Sequence, residues 1–202
     1  MMARYILVRK EKKSFWIFDF FKVIIYSVSV IIIILTFFCR FAIVDGPSMN
    51  NTLKDQDVVL ITNYHTFFGY IPALNLKQGD VVAVAPSQDT DNKFSVDNAF
   101  IKRVIAVEGQ TIGFDADKGE VYIDGRVIDE PYISSKTLAG VEWDIPDVIP
   151  EDKVFVMGDN RAVSVDSRSV RIQLVDKKDI IGKAQFVVYP FDRISYIYGG
   201  AL

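Results

Sequence analysis

Between Lys22 and Arg40 the chain runs for 17 residues, Val23 through Cys39, without a single charge. As a helix rising 1.5 Å per residue this stretch spans about 26 Å, and the flanking Phe20, Phe21 and Phe41 with snorkelling basic ends extend it toward the ~30 Å of a bilayer core. The spacing predicts one membrane crossing, assigned to residues 23–43 and preceded by a basic segment, residues 1–22. A cleaved secretory signal is the alternative, but such signals have shorter apolar cores and end at a small-x-small site. Here Arg40-Phe41-Ala42-Ile43 follows, so the segment reads as a retained anchor. Five basic residues within the first 13 positions place the N-terminus in the cytoplasm and the rest of the chain outside. Asp19 and Lys22, at helical spacing, read as a solvated interfacial pair.

The net charge of -3 conceals a division. Residues 1–40 carry seven Lys/Arg against two acids, leaving 16 basic and 24 acidic residues for the remainder. A domain with that acidic excess is a poor partner for nucleic acid, whose binding relies on neutralising phosphate. Cys39 is the only cysteine, so no intramolecular disulfide forms, and its position after Phe37 and Phe38 reads as a buried membrane-helix thiol. With one His, one Cys and no carboxylates at ligand spacing, the sequence offers no metal site. No glycine-rich phosphate loop is present either, and no cofactor is expected.

Beyond Asp45 the pattern changes to strands and turns, which predicts a mostly β, antiparallel domain behind the single helix. Turn residues Lys54-Asp55-Gln56-Asp57 lead into Val58–Ile61, and Gln78-Gly79-Asp80 into Val81–Val84. Tyr64–Pro72, rich in aromatic residues and carrying His65, reads either as a packed loop or as a patch resting on lipid headgroups. Ser87–Asn98 reads as a surface loop, and Phe100–Val107 as a strand interrupted only by Lys102 and Arg103. Asp124-Gly125 between apolar flanks is a two-residue hairpin turn. Residues 113–150, punctuated by Pro131, Pro146 and Pro150, are assigned to a small inserted lobe. The catalytic β domain is then residues 44–112 and 151–192, with Val154–Met157 and Ile180–Tyr189 as its later strands and Gly199–Leu202 as a tail.

Chemistry centres on Gly46-Pro47-Ser48-Met49-Asn50-Asn51-Thr52-Leu53, the first polar turn after the apolar run. A serine nucleophile needs a base. His65 is the single histidine and has no acid near it in sequence to orient it, which favours a structural role. A lysine base must have its pKa drawn down from about 10.4 toward 7 or 8, which apolar burial can accomplish. Lys102, sharing a strand face with Phe100, Val104 and Ala106, meets that description, unless it is a strand-edge lysine facing water. Lys183, in Ile181-Gly182-Lys183-Ala184, has a similar setting. Downstream of Gly158-Asp159-Asn160-Arg161, either Ser164 or Ser167 could orient the amine, while Asp166 and Arg168 read as a scaffold pair.

Taken in order, the anchor, Ser48-Met49, Gly79-Asp80-Val81-Val82, Lys102-Arg103-Val104, and Gly158-Asp159-Asn160-Arg161 with Ser164 and Asp166-Ser167-Arg168 resemble the bacterial type I signal peptidases of the Gram-positive kind. These are membrane-anchored serine endopeptidases that remove signal peptides from exported preproteins with a Ser/Lys dyad. The resemblance implies their fold, an antiparallel β domain with an inserted lobe, shared with self-cleaving repressors. It implies Ser48 as nucleophile, Lys102 as general base, Ser164 as the lysine's hydrogen-bond partner, and Asp166 and Arg168 as framework. Val44, Asp45, Gly46, Met49, Phe100 and Ile101 are implied to bind substrate, forming shallow pockets for small residues at positions minus one and minus three. The oxyanion donor is implied to be the Ser48 backbone N–H, because Gly46 stands where some members carry a serine hydroxyl. The implied partners are signal peptides and the bilayer, the implied location the cell membrane.

Three departures accompany the resemblance. Asn51 replaces the usual proline and is expected to loosen the turn; Ala162-Val163 replaces an Asp-Asn pair; and Ser169-Val170-Arg171-Ile172 lacks a glycine. They leave two competing readings: a specialised or inactive paralogue assisting surface-structure assembly, and an anchored β domain that only binds a partner.

Overall fold

The computed structural model describes residues 2–63, 76–85, 99–138 and 140–199. The aromatic loop with His65, the polar loop from Ser87 and the last three residues lie outside these. The chain divides into two compact units, Met1–Cys39 and Arg40–Leu202.

The first unit is one helix, α1 (Met2–Phe38), whose apolar part, Trp16–Phe38, is 23 residues with side chains exposed almost throughout. A helix apolar on every side has no soluble core to face. It ends at Phe38, and Cys39–Ile43 forms strand β1 instead, so the membrane segment expected to reach residue 43 yields its last five residues to the sheet. The cause is visible in the alternation: Ala42 is buried while Phe41 and Ile43 are exposed, a period of two.

The second unit contains β2 (Val58–Asn63), β3 (Val81–Val84), β4 (Phe100–Val107), β5 (Ile112–Asp115), β6 (Glu120–Ile123), β7 (Arg126–Val127), β8 (Lys153–Met157), β9 (Val175–Asp176), β10 (Ile180–Tyr189) and β11 (Ser195–Tyr196). The main sheet has the order β1-β2-β10-β3-β4-β8-β9, with β11 also paired to β10. The antiparallel β10 is long enough to pair with β2 along most of its length, with β3 at its start and with β11 near its end. Gly182 permits the closest part of that pairing, because a Cβ there would lie 2.1 Å from the Thr62 carbonyl oxygen.

Strand β4 is interior, between β3 and β8, and residues 101–106 are all buried. Its two polar members, Lys102 opposite Val82 and Arg103 opposite Val81 and Met157, therefore lie at the centre of the sheet. The register of β4 on β8 shifts between Val104 and Ala106, a bulge that bends the strand.

Strands β5, β6 and β7 form a three-stranded sheet that begins at Ile112, one residue before the span 113–150 assigned to the lobe, with Asp124 and Gly125 both at positive φ (51° and 74°) as a two-residue hairpin turn demands. This sheet shares its core with the main one: Val121, Ile123 and Ile149 pack with Ile105, Ala106, Phe155 and Met157. A second cluster, Ala42, Val44, Met49, Leu53, Val59, Ile61 and Val187 among others, lies beneath β1, β2 and β10.

Candidate active site

The turn carrying Ser48 is built from its neighbours. Gly46 adopts φ +82°, a conformation other residues rarely enter, and its N–H is held by Asp55 Oδ1 at 2.8 Å. Backbone bonds from Asn50 to Pro47 and from Leu53 to Met49 wind residues 47–53 into a tight coil. Met49 and Leu53, four apart, are driven into the core under β1 and β2 and clamp that coil. On the other flank, Asn160 donates its N–H to the Ser48 carbonyl (3.0 Å) and its side-chain amide to the Pro47 carbonyl (3.2 Å). The backbone around Ser48 is thus held from two sides, while the Ser48 N–H has no acceptor among the described residues.

Lys102 reaches this hydroxyl from β4. Its Nζ lies 3.0 Å from Ser48 Oγ and 3.1 Å from the Ile101 carbonyl oxygen, with the Phe100 ring centre 5.5 Å away. The residue is 4 % exposed. Burial lowers its pKa from 10.5 to about 8, against the opposing pull of the Asp166 and Asp159 carboxylates. The strand-edge alternative fails because β4 has a neighbour on each side. Lys183 is engaged elsewhere: it pairs with Asp80 at 2.5 Å, lies over the Tyr198 ring and is 30 % exposed.

Asp166 and Arg168 form a buried bidentate pair, with Nε on Oδ1 at 2.9 Å and Nη2 on Oδ2 at 3.0 Å. Asp166 also receives the Gly158 N–H (3.0 Å), and Arg168 donates to the Arg161 carbonyl (2.8 Å). Ser167 is committed to β8, accepting the Val156 N–H through its hydroxyl. Ser164 Oγ is buried and has no hydrogen-bond partner among the described residues, so the bond expected to Lys102 is not formed. It does adjoin the Ser48 turn: a Cβ on Gly158 would stand 2.3 Å from Ser164 Oγ and 2.5 Å from the Ser48 carbonyl oxygen, which leaves room only for glycine.

Sequence reasoning passed over two buried ion pairs around these groups. Arg103 makes two bonds to Asp159 (2.8 and 2.7 Å), and Thr52 in the serine turn bonds to both partners. Arg161, wholly buried, pairs with Glu130 and donates to Thr137, joining the site to the inserted segment. The available signal was the run Gly-Asp-Asn-Arg placed directly after an apolar strand, where polar side chains need internal partners.

A groove of 960 Å³ runs to Ser48 and Lys102, and Val44, Asp45, Met49, Phe100 and Ile101 are among its lining residues. Gly46 is not; its contribution is the turn.

A buried lysine of lowered pKa touching a serine at the end of an open groove is the equipment of a serine hydrolase. The family model described as signal peptidase, peptidase S26, matches residues 17–189. The chain belongs to that family. Among similar proteins, the signal peptidase I of Bacillus licheniformis is 33% identical over 193 residues, spanning 92% of this chain and 96% of that one. Signal peptidase I S of Bacillus subtilis (strain 168) is 31% identical over 192 residues, 91% of this chain and 94% of its own. A crystal structure of a signal peptidase I from Enterococcus faecalis aligns at 22% identity with a TM-score of 0.43, over 54% of this chain and 96% of that one. In this member of the family Lys102 and Ser48 are in contact.

Proposed function

We propose that the protein is a membrane-anchored endopeptidase that removes signal peptides from exported preproteins through a Ser48–Lys102 dyad. The observation that carries the reading is the 3.0 Å approach of a buried, pKa-lowered amine to the serine hydroxyl. With a pKa of about 8, roughly a tenth of the lysine is neutral at pH 7, against about four in ten thousand for a free lysine. Neutral Lys102 takes the Ser48 proton as Oγ attacks the scissile carbonyl, and the free Ser48 N–H receives the developing oxyanion. The ammonium then protonates the departing amine. Water, deprotonated by the regenerated amine, hydrolyses the ester and frees Ser48.

Asp166 and Arg168 hold the Gly158–Ser164 turn against the nucleophile, and Ser164 supports the site from beside Gly158. Val44, Asp45, Met49, Phe100 and Ile101 bind the residues preceding the scissile bond, with Gly46 shaping the turn between them. Helix α1 spans the bilayer with the basic N-terminus in the cytoplasm, and residues 44–112 and 151–192 with the 113–150 lobe work outside. A second support for the bilayer as partner is a group of exposed apolar side chains, Phe186, Tyr189, Phe191, Ile194 and Tyr196, with Phe186 and Tyr196 rings 5.1 Å apart. Their aromatic character suits headgroup depth.

The test is to incubate the detergent-solubilised full chain with an exported precursor and to sequence the product's N-terminus. Cleavage at the signal-peptide junction by the unmutated chain, absent in Ser48→Ala and Lys102→Ala, is expected. Cleavage that survives either substitution overturns the dyad.

A further inference from the structure

The groove that contains Ser48 and Lys102 is lined by residues 41–45, 48–49, 56, 58 and 99–102, and none of residues 158–165 lines it. Those residues lie instead against the nucleophile's own backbone. Asn160 is bonded to the Ser48 and Pro47 carbonyls, and Val163 and Ser164 return their N–H groups to the Asn160 carbonyl. The turn therefore adjoins Ser48 from outside the groove lining.

The surface of the turn is apolar. Its charged members face inward: Arg161 is paired with Glu130, and Asp166 with Arg168. What remains outside is Ala162, Val163 (55 % exposed) and Val165 (51 % exposed). Turns commonly present polar residues to water, whereas this one presents two half-exposed β-branched side chains. The only ligand that the site brings past them is the polypeptide after the cleavage point.

We infer that the Ala162–Val165 turn is the exit surface for the residues following the scissile bond, and that Val163 and Val165 make it select apolar over charged side chains there. The inference rests on the endopeptidase reading and names a specificity determinant of that same site. Methyl groups favour an apolar neighbour and leave an approaching charge partly desolvated without a partner.

The experiment uses the full chain in detergent and peptides that span one signal-peptide junction and differ only in carrying Leu, Asp or Lys at the second position after the cut. The unmutated protein should favour Leu over Asp and over Lys by about fivefold in kcat/KM, the size of a partial apolar contact. Val163→Asp should change the Lys-to-Asp ratio about tenfold toward Lys, and Val163→Lys should move it oppositely. Val165→Asp should act like Val163→Asp. The control Val170→Asp, which alters an exposed valine beyond the Asp166–Arg168 pair, should leave the ratios unchanged. Because the altered residues are exposed, thermal melts of all variants should match the unmutated chain. Ratios unmoved by Val163 and Val165 substitutions overturn the inference alone. Absence of any Ser48-dependent cleavage by the unmutated chain overturns the endopeptidase reading itself, and this inference with it.

Discussion

At Lys102 stability and chemistry pull in opposite directions. The unfolded lysine titrates near 10.4, whereas in the fold it titrates at about 8. Below pH 8 both states hold the proton and the fold bears the full cost of a buried ammonium. Between pH 8 and about 10.4 the folded lysine releases its proton first, so stability should rise through that window. Lys102→Met, of similar length and without the charge, should abolish cleavage yet raise stability at pH 7 by about 2 kcal/mol, a gain that fades toward pH 10. Denaturant titrations of the two proteins at pH 7 and pH 10 measure this. The kcat/KM profile should correspondingly rise as pH climbs through about 8, because the neutral amine is the active form. The apolar company of this lysine was legible in Phe100-Ile101-Lys102-Arg103-Val104. Lys183 ranked second to it in sequence, but what engages Lys183, its pairing with Asp80 from 103 positions away, was not legible.

Among the elements, the serine turn illustrates how long-range ties replace local rules. Asn51 stands where a proline is usual and suggested a looser turn, but it adopts φ 98° and its amide donates to the Tyr132 and Ile133 carbonyls (3.1 and 3.3 Å). It therefore tethers the nucleophile's coil to the segment whose Tyr132 ring lies 4.0 Å from the Arg103 guanidinium. Proline is restricted to φ near −65°, so Asn51→Pro should cost about 3 kcal/mol and lower activity. Asn51→Gly, which keeps the backbone but loses the tether, should cost about 1 kcal/mol. Equilibrium unfolding of both variants checks the order. The strands themselves were readable: β3, β4 and β10 begin and end where the apolar runs do, and Asp124-Gly125 marked its hairpin. The placing of β10 between β2 and β3 was not readable, because strand order follows from pairings between residues as distant in sequence as Ile180 and Val84 or Gly182 and Asn63. Strand β1 was absorbed into the anchor, since an apolar run alone does not reveal where the helix gives way to alternation.

For the molecule as a whole, the two units divide the labour that the charge pattern anticipates. The Arg40–Leu202 unit draws its three apolar clusters entirely from its own residues, so it should fold without the helix. It carries Phe191, 79 % exposed, with its ring 5.5 Å from that of Tyr189. Residues 40–202 alone should sediment with phospholipid vesicles, and Tyr189→Ser with Phe191→Ser should weaken that binding about tenfold or more. Equal binding by both forms contradicts an interfacial role for the patch. The proposed reaction is one chemical event at the Ser48 oxygen, and trapping it is the most direct test. A single-turnover reaction with a precursor, quenched in acid and digested, should yield an ester-linked signal peptide on the fragment containing Ser48, formed by the unmutated chain and not by Lys102→Ala. An acyl group on any other residue, or product released at full rate with no ester at Ser48, contradicts the account.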